Sequence, residues 1–150
     1  MSSNIFRKVV MFIAGYVCYI AIEVTFRGYS DILMGLCGGV LLILIDMINE
    51  VMPWHTDILL QSCIGSLMIT TCELIVGTTI KICGAPQLWD YSDMMFNYNG
   101  VICLEFSLLW IGLSFIAVLL ADAINYYAFG KLPKPEYYLF GHKIMTFPTR

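Results

Sequence analysis

Hydrophobic residues in this chain fall into four long runs, which short polar or turn-forming stretches separate. The runs are roughly Val9–Phe26, Ile32–Ile48, Ile58–Ile80 and Val101–Tyr127. A helix of about 20 apolar residues is long enough to cross the hydrocarbon core of a bilayer. The pattern therefore predicts an all-α, integral membrane four-helix bundle within residues 1–130.

Cap and breaker residues mark the ends of these predicted helices. Ser30 or Asp31 can cap the second helix, and Thr56 or Asp57 can cap the third, because their side-chain oxygens accept from free backbone N–H groups. Pro53 lies between the second and third runs, where a break is expected.

Carboxylates interrupt three of the runs. Glu23 lies near the end of the first, Glu73 lies in the third, and Glu105 and Asp122 lie in the fourth. A charged side chain inside a span is costly and generally faces the bundle interior or a water-filled cavity. This pattern indicates a polar site within the membrane.

The predicted site lies in the outer half of the bundle. Arg27 follows Glu23 by four residues and shares its helical face if the helix continues that far. The residues that we expect to converge as a substrate or ion site are Glu23, Arg27, Glu73, Asp90 and Glu105.

Structural alternatives accompany each of these residues. Glu23 and Arg27 can form an ion pair that only orients the chain, and a protonated Glu73 can simply pack. Glu105 can be hydrated near the interface, and Asp90 can cap a turn in the loop. Asp122 is expected to be solvated, although together with Asp46 it can form a second polar layer in the inner half.

The stretch between the third and fourth runs, Gly84–Gly100, is aromatic and rich in turn residues. Irregular backbone at membrane depth must be covered by protein, so this stretch is predicted to be an interfacial or a re-entrant loop. Its aromatic rings suit the boundary between water and lipid, and they belong to Trp89, Tyr91, Phe96 and Tyr98.

The distribution of basic residues predicts the orientation in the membrane. Arg7 and Lys8 precede the first run, and a second basic group follows the fourth run, namely Lys131, Lys134, Lys143 and Arg150. Positive charge favours the cytoplasmic side. We therefore expect a multi-pass protein of the cell membrane with cytoplasmic N- and C-termini, and residues 131–150 as a cytoplasmic C-terminal tail.

Composition agrees with a membrane protein and excludes several other classes. Hydrophobic residues make up 59% of the chain and charged residues 13%, against about 25% charged residues in a soluble domain. The net charge is −3 and no basic stripe is present, so nucleic-acid binding is not expected. Catalytic motifs such as GxSxG and HExxH and zinc-type ligand spacing are absent, so no enzymatic activity, metal or cofactor is expected.

Small residues in the second run suggest close helix contacts. Gly35 and Gly39 have GxxxG spacing, which lets membrane helices approach closely. The spacing serves either packing within the chain or a homo-oligomer. We expect a homo-oligomer embedded in the lipid bilayer.

Three stretches together resemble one known family. They are Glu23-Val-Thr-Phe-Arg27-Gly28-Tyr-Ser30, Glu73-Leu-Ile-Val-Gly77, and Trp89-Asp-Tyr-Ser92 followed by Phe96-Asn97, Gly100, Ile102-Cys103-Leu104 and Trp110. They resemble the bacterial Putative ABC-transporter type IV family, also called ABC transporter permease, and are similar to the animal transmembrane protein 229 family. The resemblance covers about residues 10–125, and the rest of the chain gives no family pattern.

The resemblance and the acidic residues together suggest a function. The chain lacks a GxxxxGK(S/T) phosphate loop, so a separate ATPase or another soluble protein is the partner that the family name implies. We expect a small permease-like or channel-like protein with an acidic outer site. The alternative is a pore-forming, holin- or effector-like protein, or a structural membrane subunit that acts through oligomerisation or a partner.

Overall fold

The four hydrophobic runs form four long helices. The computed structural model describes residues 2–53, 55–131 and 133–149. Its helices are α1 Ser2–Arg27, α2 Ile32–Asp46, the short α3 Ile48–Val51, α4 Ile58–Ile82 and α5 Leu104–Ala123, which a π-helical turn, Ile124–Ala128, extends. The stretches long and apolar enough to span a membrane are Asn4–Arg27, Ile32–Val51, Ile58–Ile82 and Leu104–Ala128.

The mostly helical fold is confirmed, but it also contains two small antiparallel hairpins that the hydrophobic pattern did not predict. Strand β1, Asn97–Tyr98, pairs with β2, Ile102–Cys103. Strand β3, Glu136–Leu139, pairs with β4, His142–Thr146. Both hairpins lie outside the long helices, one at each end of the bundle.

Predicted caps begin two of the helices. The Asp31 carboxylate accepts from the Leu33 N–H at 2.8 Å, and the Asp57 carboxylate accepts from the Leu59 N–H at 2.9 Å. Each satisfies one of the backbone donors that a helix N-terminus leaves free. The predictions that placed Asp31 and Asp57 at these helix starts are confirmed.

The helices associate as two pairs. Helix α1 packs mainly on α2, α4 packs mainly on α5, and α2 also contacts α4 and α5. We call the boundary between the α1–α2 pair and the α4–α5 pair the seam. The terminal end of the bundle carries the start of α1, α3 and the β3–β4 hairpin; the loop end carries the α1–α2 turn and the loop that follows α4.

Glycines allow α1 and α2 to approach closely. A Cβ atom built on Gly35 would lie 2.6 Å from the Tyr16 ring, and one on Gly39 would lie 2.7 Å from the Phe12 ring. Real Cβ atoms do not approach other heavy atoms so closely. The GxxxG spacing therefore serves packing within the chain.

We expect Gly35→Leu to destabilise the protein, because the added side chain must push Tyr16 and α1 away from α2. Overpacking of this kind typically costs about 1–3 kcal/mol. The measurement is thermal unfolding of the purified protein in detergent. Gly112→Leu is the matched control, because no atom lies within 4 Å of a Cβ at Gly112 and both changes raise helix propensity equally. Equal stability of the two variants would contradict the observed α1–α2 packing.

The segment predicted as a C-terminal tail folds against the terminal end. Tyr137 of β3 is buried in an apolar cluster with Ile45, Ile58 and Val118. The Phe140 N–H donates to the Asp57 carboxylate at the start of α4. The β3–β4 hairpin thus covers the ends of the helices, while Arg150 lies outside the described residues.

Candidate functional site

Glu73 lies inside the bundle, in the half of α4 nearer the loop end. The residue is 6% exposed. Its Oε1 accepts from the Tyr91 hydroxyl at 3.0 Å, and its Oε2 accepts from the Trp110 indole N–H at 2.9 Å. Both donors are neutral, and within the described ranges no Lys, Arg or His forms an ion pair with this carboxyl.

A small cavity borders Glu73 on the seam. Its volume is about 10 Å³, which is room for roughly one water molecule. Helices α1, α2 and α4 and the loop all contribute to its wall, through Tyr19, Met34, Cys37, Leu41, Ile69, Cys72, Glu73, Val76 and Trp89. Because both helix pairs line it, any movement of one pair against the other changes this cavity.

Glu23 and Arg27 form the predicted ion pair, with Arg27 Nη1 2.9 Å from Glu23 Oε1. The Ser30 hydroxyl donates to the second Glu23 oxygen at 2.6 Å. Arg27 Nη2 also donates to the Leu88 carbonyl at 2.6 Å. The pair therefore ties the end of α1 to the loop that follows α4.

Tyr19 links the two acidic positions. Its side chain lines the cavity beside Glu73, and it precedes Glu23 by four residues on α1, so both residues lie on the same face of that helix. Glu23, Arg27 and Glu73 thus occupy one region of the bundle near the loop end, although Arg27 pairs with Glu23 and not with Glu73.

The loop covers this region. The Trp89 indole N–H donates to the Val101 carbonyl at 2.8 Å, and the Trp89 and Tyr91 rings are buried in a cluster with Met34 and Ile80. These two rings therefore point into the bundle and do not lie at the lipid boundary. Burial, together with the Glu73 carboxyl, raises the pKa of the Tyr91 hydroxyl, so Tyr91 remains a donor.

Asp90 and Glu105 do not join Glu73. Asp90 is exposed and accepts from the N–H and the hydroxyl of Ser92. These hydrogen bonds hold the pKa of Asp90 below its usual range, and they make it a turn cap. Glu105 is also exposed. The predicted convergence of five residues is thus reduced to Glu23, Arg27 and Glu73.

A second polar network is buried at the terminal end, where Asp46 and Asp122 were expected to form a polar layer, but the participation of Arg7 was not predicted. Arg7 is 4% exposed and Asp46 is 3% exposed. Arg7 Nη1 lies 2.7 Å from Asp46 Oδ2 and donates to the Asn125 amide oxygen at 2.9 Å. Arg7 Nη2 lies 3.0 Å from Glu50 Oε1. Asn125 reaches this network from the π-helical turn, a local irregularity that often accompanies functional sites.

Asp122 belongs to a neighbouring part of this network. It is 2% exposed, so the expectation that it is solvated is wrong. Its carboxylate accepts from the Asn49 amide at 2.6 Å and from the Tyr137 hydroxyl at 2.8 Å. The expectation failed because the β3–β4 hairpin, which supplies Tyr137, shields this end of α5 from water.

One signal in the sequence pointed to the terminal network. Arg7 precedes the first hydrophobic run, and Asp46 lies near the inner end of the second run. Opposite charges at the same predicted depth can pair in a bundle. Since Arg7 is buried, it no longer counts among the surface charges that predict orientation, and that orientation stays a prediction.

The chain was compared with known families, curated proteins and solved structures. The sequence matches the family described as Putative ABC-transporter type IV over residues 27–147. The chain belongs to this family. No curated protein and no solved structure matches it. The match begins at Arg27 and continues through the β3–β4 hairpin, so it starts later and ends later than the expected residues 10–125.

The motifs of this ABC-transporter type IV chain build the cover over Glu73. A Cβ atom on Gly77 would lie 2.5 Å from Val101 Cγ1, so only glycine lets the loop reach α4 there. Gly100 has φ +65° and stands beside Asp90, in a conformation that favours glycine. The motif residues thus hold the loop on the bundle, whereas Glu23 lies outside the matched range.

Proposed function

We propose that this membrane protein is a small permease or channel in which Glu73 is the centre of a proton or cation site. The observation that carries the proposal is a buried carboxyl on a membrane helix whose only partners among the described residues are neutral, next to a cavity on the seam. Such a carboxyl has no countercharge, so a proton or a small cation is the ligand chemistry that it favours.

The proposed route follows the seam. A cavity of about 190 Å³ lies at the terminal end, and the cavity of about 10 Å³ beside Glu73 lies nearer the loop end. Both have walls from the two helix pairs. In this arrangement the route is wide at the terminal end and closed at the loop end, where Trp89 and Tyr91 cover Glu73. Transport then requires this cover to move.

Arg27 is proposed to hold the loop closed over Glu73. Arg27 ends α1, where Glu23 holds its guanidinium, and it donates to the Leu88 carbonyl in the loop, so separating the helix pairs at the loop end must break the Arg27–Leu88 hydrogen bond. Glu23 and Arg27 serve the site by holding the closed state. Asp90 and Glu105, both exposed, are proposed to attract cations towards the loop end.

An orientation in the membrane, an oligomeric state and a partner are also proposed for this protein. The loop end faces the outside of the cell membrane, and both termini are cytoplasmic. The protein acts as a homo-oligomer, and a separate ATPase or soluble partner supplies energy if transport is active. Neither catalysis nor nucleic-acid binding is part of the proposed role.

Glu73→Gln is expected to abolish flux without loss of the fold. The amide keeps the shape of the side chain and an oxygen that accepts hydrogen bonds, but it cannot exchange a proton or balance a cation. The measurement is proton, Na⁺ and K⁺ flux in liposomes, beside size-exclusion chromatography of the same preparations. Asp93→Asn is the control, since this carboxyl is exposed and is not among the proposed site residues, and it should keep more than about half of the wild-type flux, because an exposed charge contributes little.

Two results would contradict parts of this proposal. Flux that survives in Glu73→Gln would keep transport and exclude Glu73 as its site. The absence of any flux from the wild type would exclude the permease or channel role under these conditions.

A structural or pore-forming subunit is the second candidate. The observation that favours it is that all four carboxylate oxygens of Glu23 and Glu73 already have hydrogen-bond partners within the bundle. Such contacts can simply fix the helices in place. A folded, oligomeric wild type without flux would support this candidate.

A further inference from the structure

The cavity at the terminal end differs in character from the cavity beside Glu73. Its volume is about 190 Å³, more than the cavity of about 150 Å³ that holds benzene in an engineered protein. Among the described residues, those that line it are all polar or charged: Arg7, Asp46, Asn49, Glu50, Asn125 and Lys131. A cavity of this size and polarity is suited to a polar ligand of several heavy atoms.

Buried polar and charged side chains form the base of the cavity. Arg7, Asp46 and Asn125 are all buried. Both Asp46 oxygens are occupied, one by Arg7 at 2.7 Å and the other by the Asn125 amide at 2.5 Å. Arg7 Nη2 carries two hydrogens and donates one to Glu50, so within residues 2–53, 55–131 and 133–149 one donor of this buried guanidinium is still available.

The rim offers both signs of charge. Glu50 and Lys131 are exposed. Glu50 uses Oε1 for Arg7, and in the described part of the chain its Oε2 accepts no hydrogen bond. Among the described residues, the Lys131 ammonium donates to the Asn4 amide oxygen at 2.8 Å, and it has two further hydrogens. The cavity thus presents free N–H donors from two cations beside a free carboxylate oxygen.

Charge balance selects the ligand class. A simple anion would meet Asp46 and Glu50, and a simple cation would meet Arg7 and Lys131, so each would face repulsion as well as attraction. A molecule with both charges can direct its anionic oxygens to Arg7 and Lys131 and its ammonium to Glu50. Charge-assisted hydrogen bonds of this kind are the strong ones.

We propose that the terminal-end cavity between Arg7, Glu50 and Lys131 is a binding site for a small zwitterion that carries an ammonium and an anionic oxygen group. This chemistry occurs in free solutes such as α-amino acids and phosphoethanolamine, and in the phosphatidylethanolamine head group of the membrane. The proposal is independent of flux, because it concerns binding to the folded protein.

Binding to the purified full chain in a non-ionic detergent tests the proposal. The soluble probes are glycine and phosphoethanolamine, and the single-charge probes are inorganic phosphate and ethylamine. A second arm compares thermal stability in nanodiscs of phosphatidylethanolamine with phosphatidylglycerol. We expect a soluble zwitterion to bind at least about tenfold more tightly than either single-charge probe, which is the effect of one charge-assisted hydrogen bond, or phosphatidylethanolamine alone to stabilise the protein.

Rim variants locate the site. Glu50→Gln and Lys131→Gln should each weaken zwitterion binding, or the stabilisation by phosphatidylethanolamine, about tenfold. Lys134→Gln is the matched control, because this exposed lysine does not line the cavity, and it should leave binding unchanged. Because the two rim side chains are exposed, these variants are expected to fold, and size-exclusion chromatography checks that they do.

Every result of these binding experiments either supports or overturns the zwitterion site. Binding of soluble zwitterions identifies a solute site, and stabilisation by phosphatidylethanolamine alone identifies a lipid head-group site; both support it. Equal binding of phosphate or ethylamine, the absence of zwitterion binding in both arms, or unchanged binding in both rim variants would overturn it.

Discussion

Arg7→Met is expected to be the most destabilising single substitution at the terminal end. It leaves the Asp46 carboxylate buried at 3% exposure without its cation, and it removes the donors that Asn125 and Glu50 accept from. Breaking a buried ion pair from one side typically costs about 3–5 kcal/mol. Thermal unfolding in detergent should therefore show a large fall in stability, or no folded protein at all.

Two further variants serve as controls for Arg7→Met. Lys143→Met breaks the Lys143–Glu136 pair, whose side chains are partly exposed to solvent, so its effect should be small. Arg7→Met combined with Asp46→Leu removes both buried charges, and it should be more stable than Arg7→Met alone, because an uncompensated buried charge is the main cost. A single Arg7→Met variant as stable as Lys143→Met would contradict the buried network.

A cross-link between Cys37 and Cys72 is expected to stop transport. Cys37 lies on α2 and Cys72 on α4, and both line the small cavity beside Glu73, so a short reagent can bridge their thiols across the seam. A covalent bridge across the seam at this depth prevents the two helix pairs from separating. If Glu73 is loaded through the opening of the seam, flux should fall to the background of protein-free liposomes.

The sequence predicted the helices well because length and apolar character determine which segments can span a membrane. It also predicted the Glu23–Arg27 pair, since residues four apart on a helix share a face, and the Asp31 and Asp57 caps, which depend on neighbouring residues only. These features are local in the chain. Local patterns are what a sequence displays directly.

The features that the sequence did not predict depend on how distant segments pack. Arg7 and Asp46 are 39 positions apart, and only the α1–α2 packing brings them together. Glu105 and Trp110 both lie on α5, but only Trp110 points towards Glu73 and bonds to it. Each residue turns a helix by about 100°, so the face on which Glu105 lies depends on how α5 is rotated in the bundle. The two hairpins have strands of two to five residues, too short to show an alternating pattern.

Flux through the cross-linked protein shows whether the two helix pairs must separate for transport. The protein for this measurement keeps Cys37 and Cys72, while the other cysteines, Cys18, Cys63, Cys83 and Cys103, are replaced by alanine. Proton and cation flux in liposomes is recorded before treatment with a short bifunctional thiol reagent that can be reduced, after treatment, and after reduction. A second protein that also lacks Cys37 controls for modification without a bridge.

Flux is expected to disappear when mass spectrometry shows the Cys37–Cys72 bridge, to return on reduction, and to persist throughout in the protein that lacks Cys37. Undiminished flux through fully bridged protein would contradict this expectation, because ions would then cross without any separation of the two helix pairs.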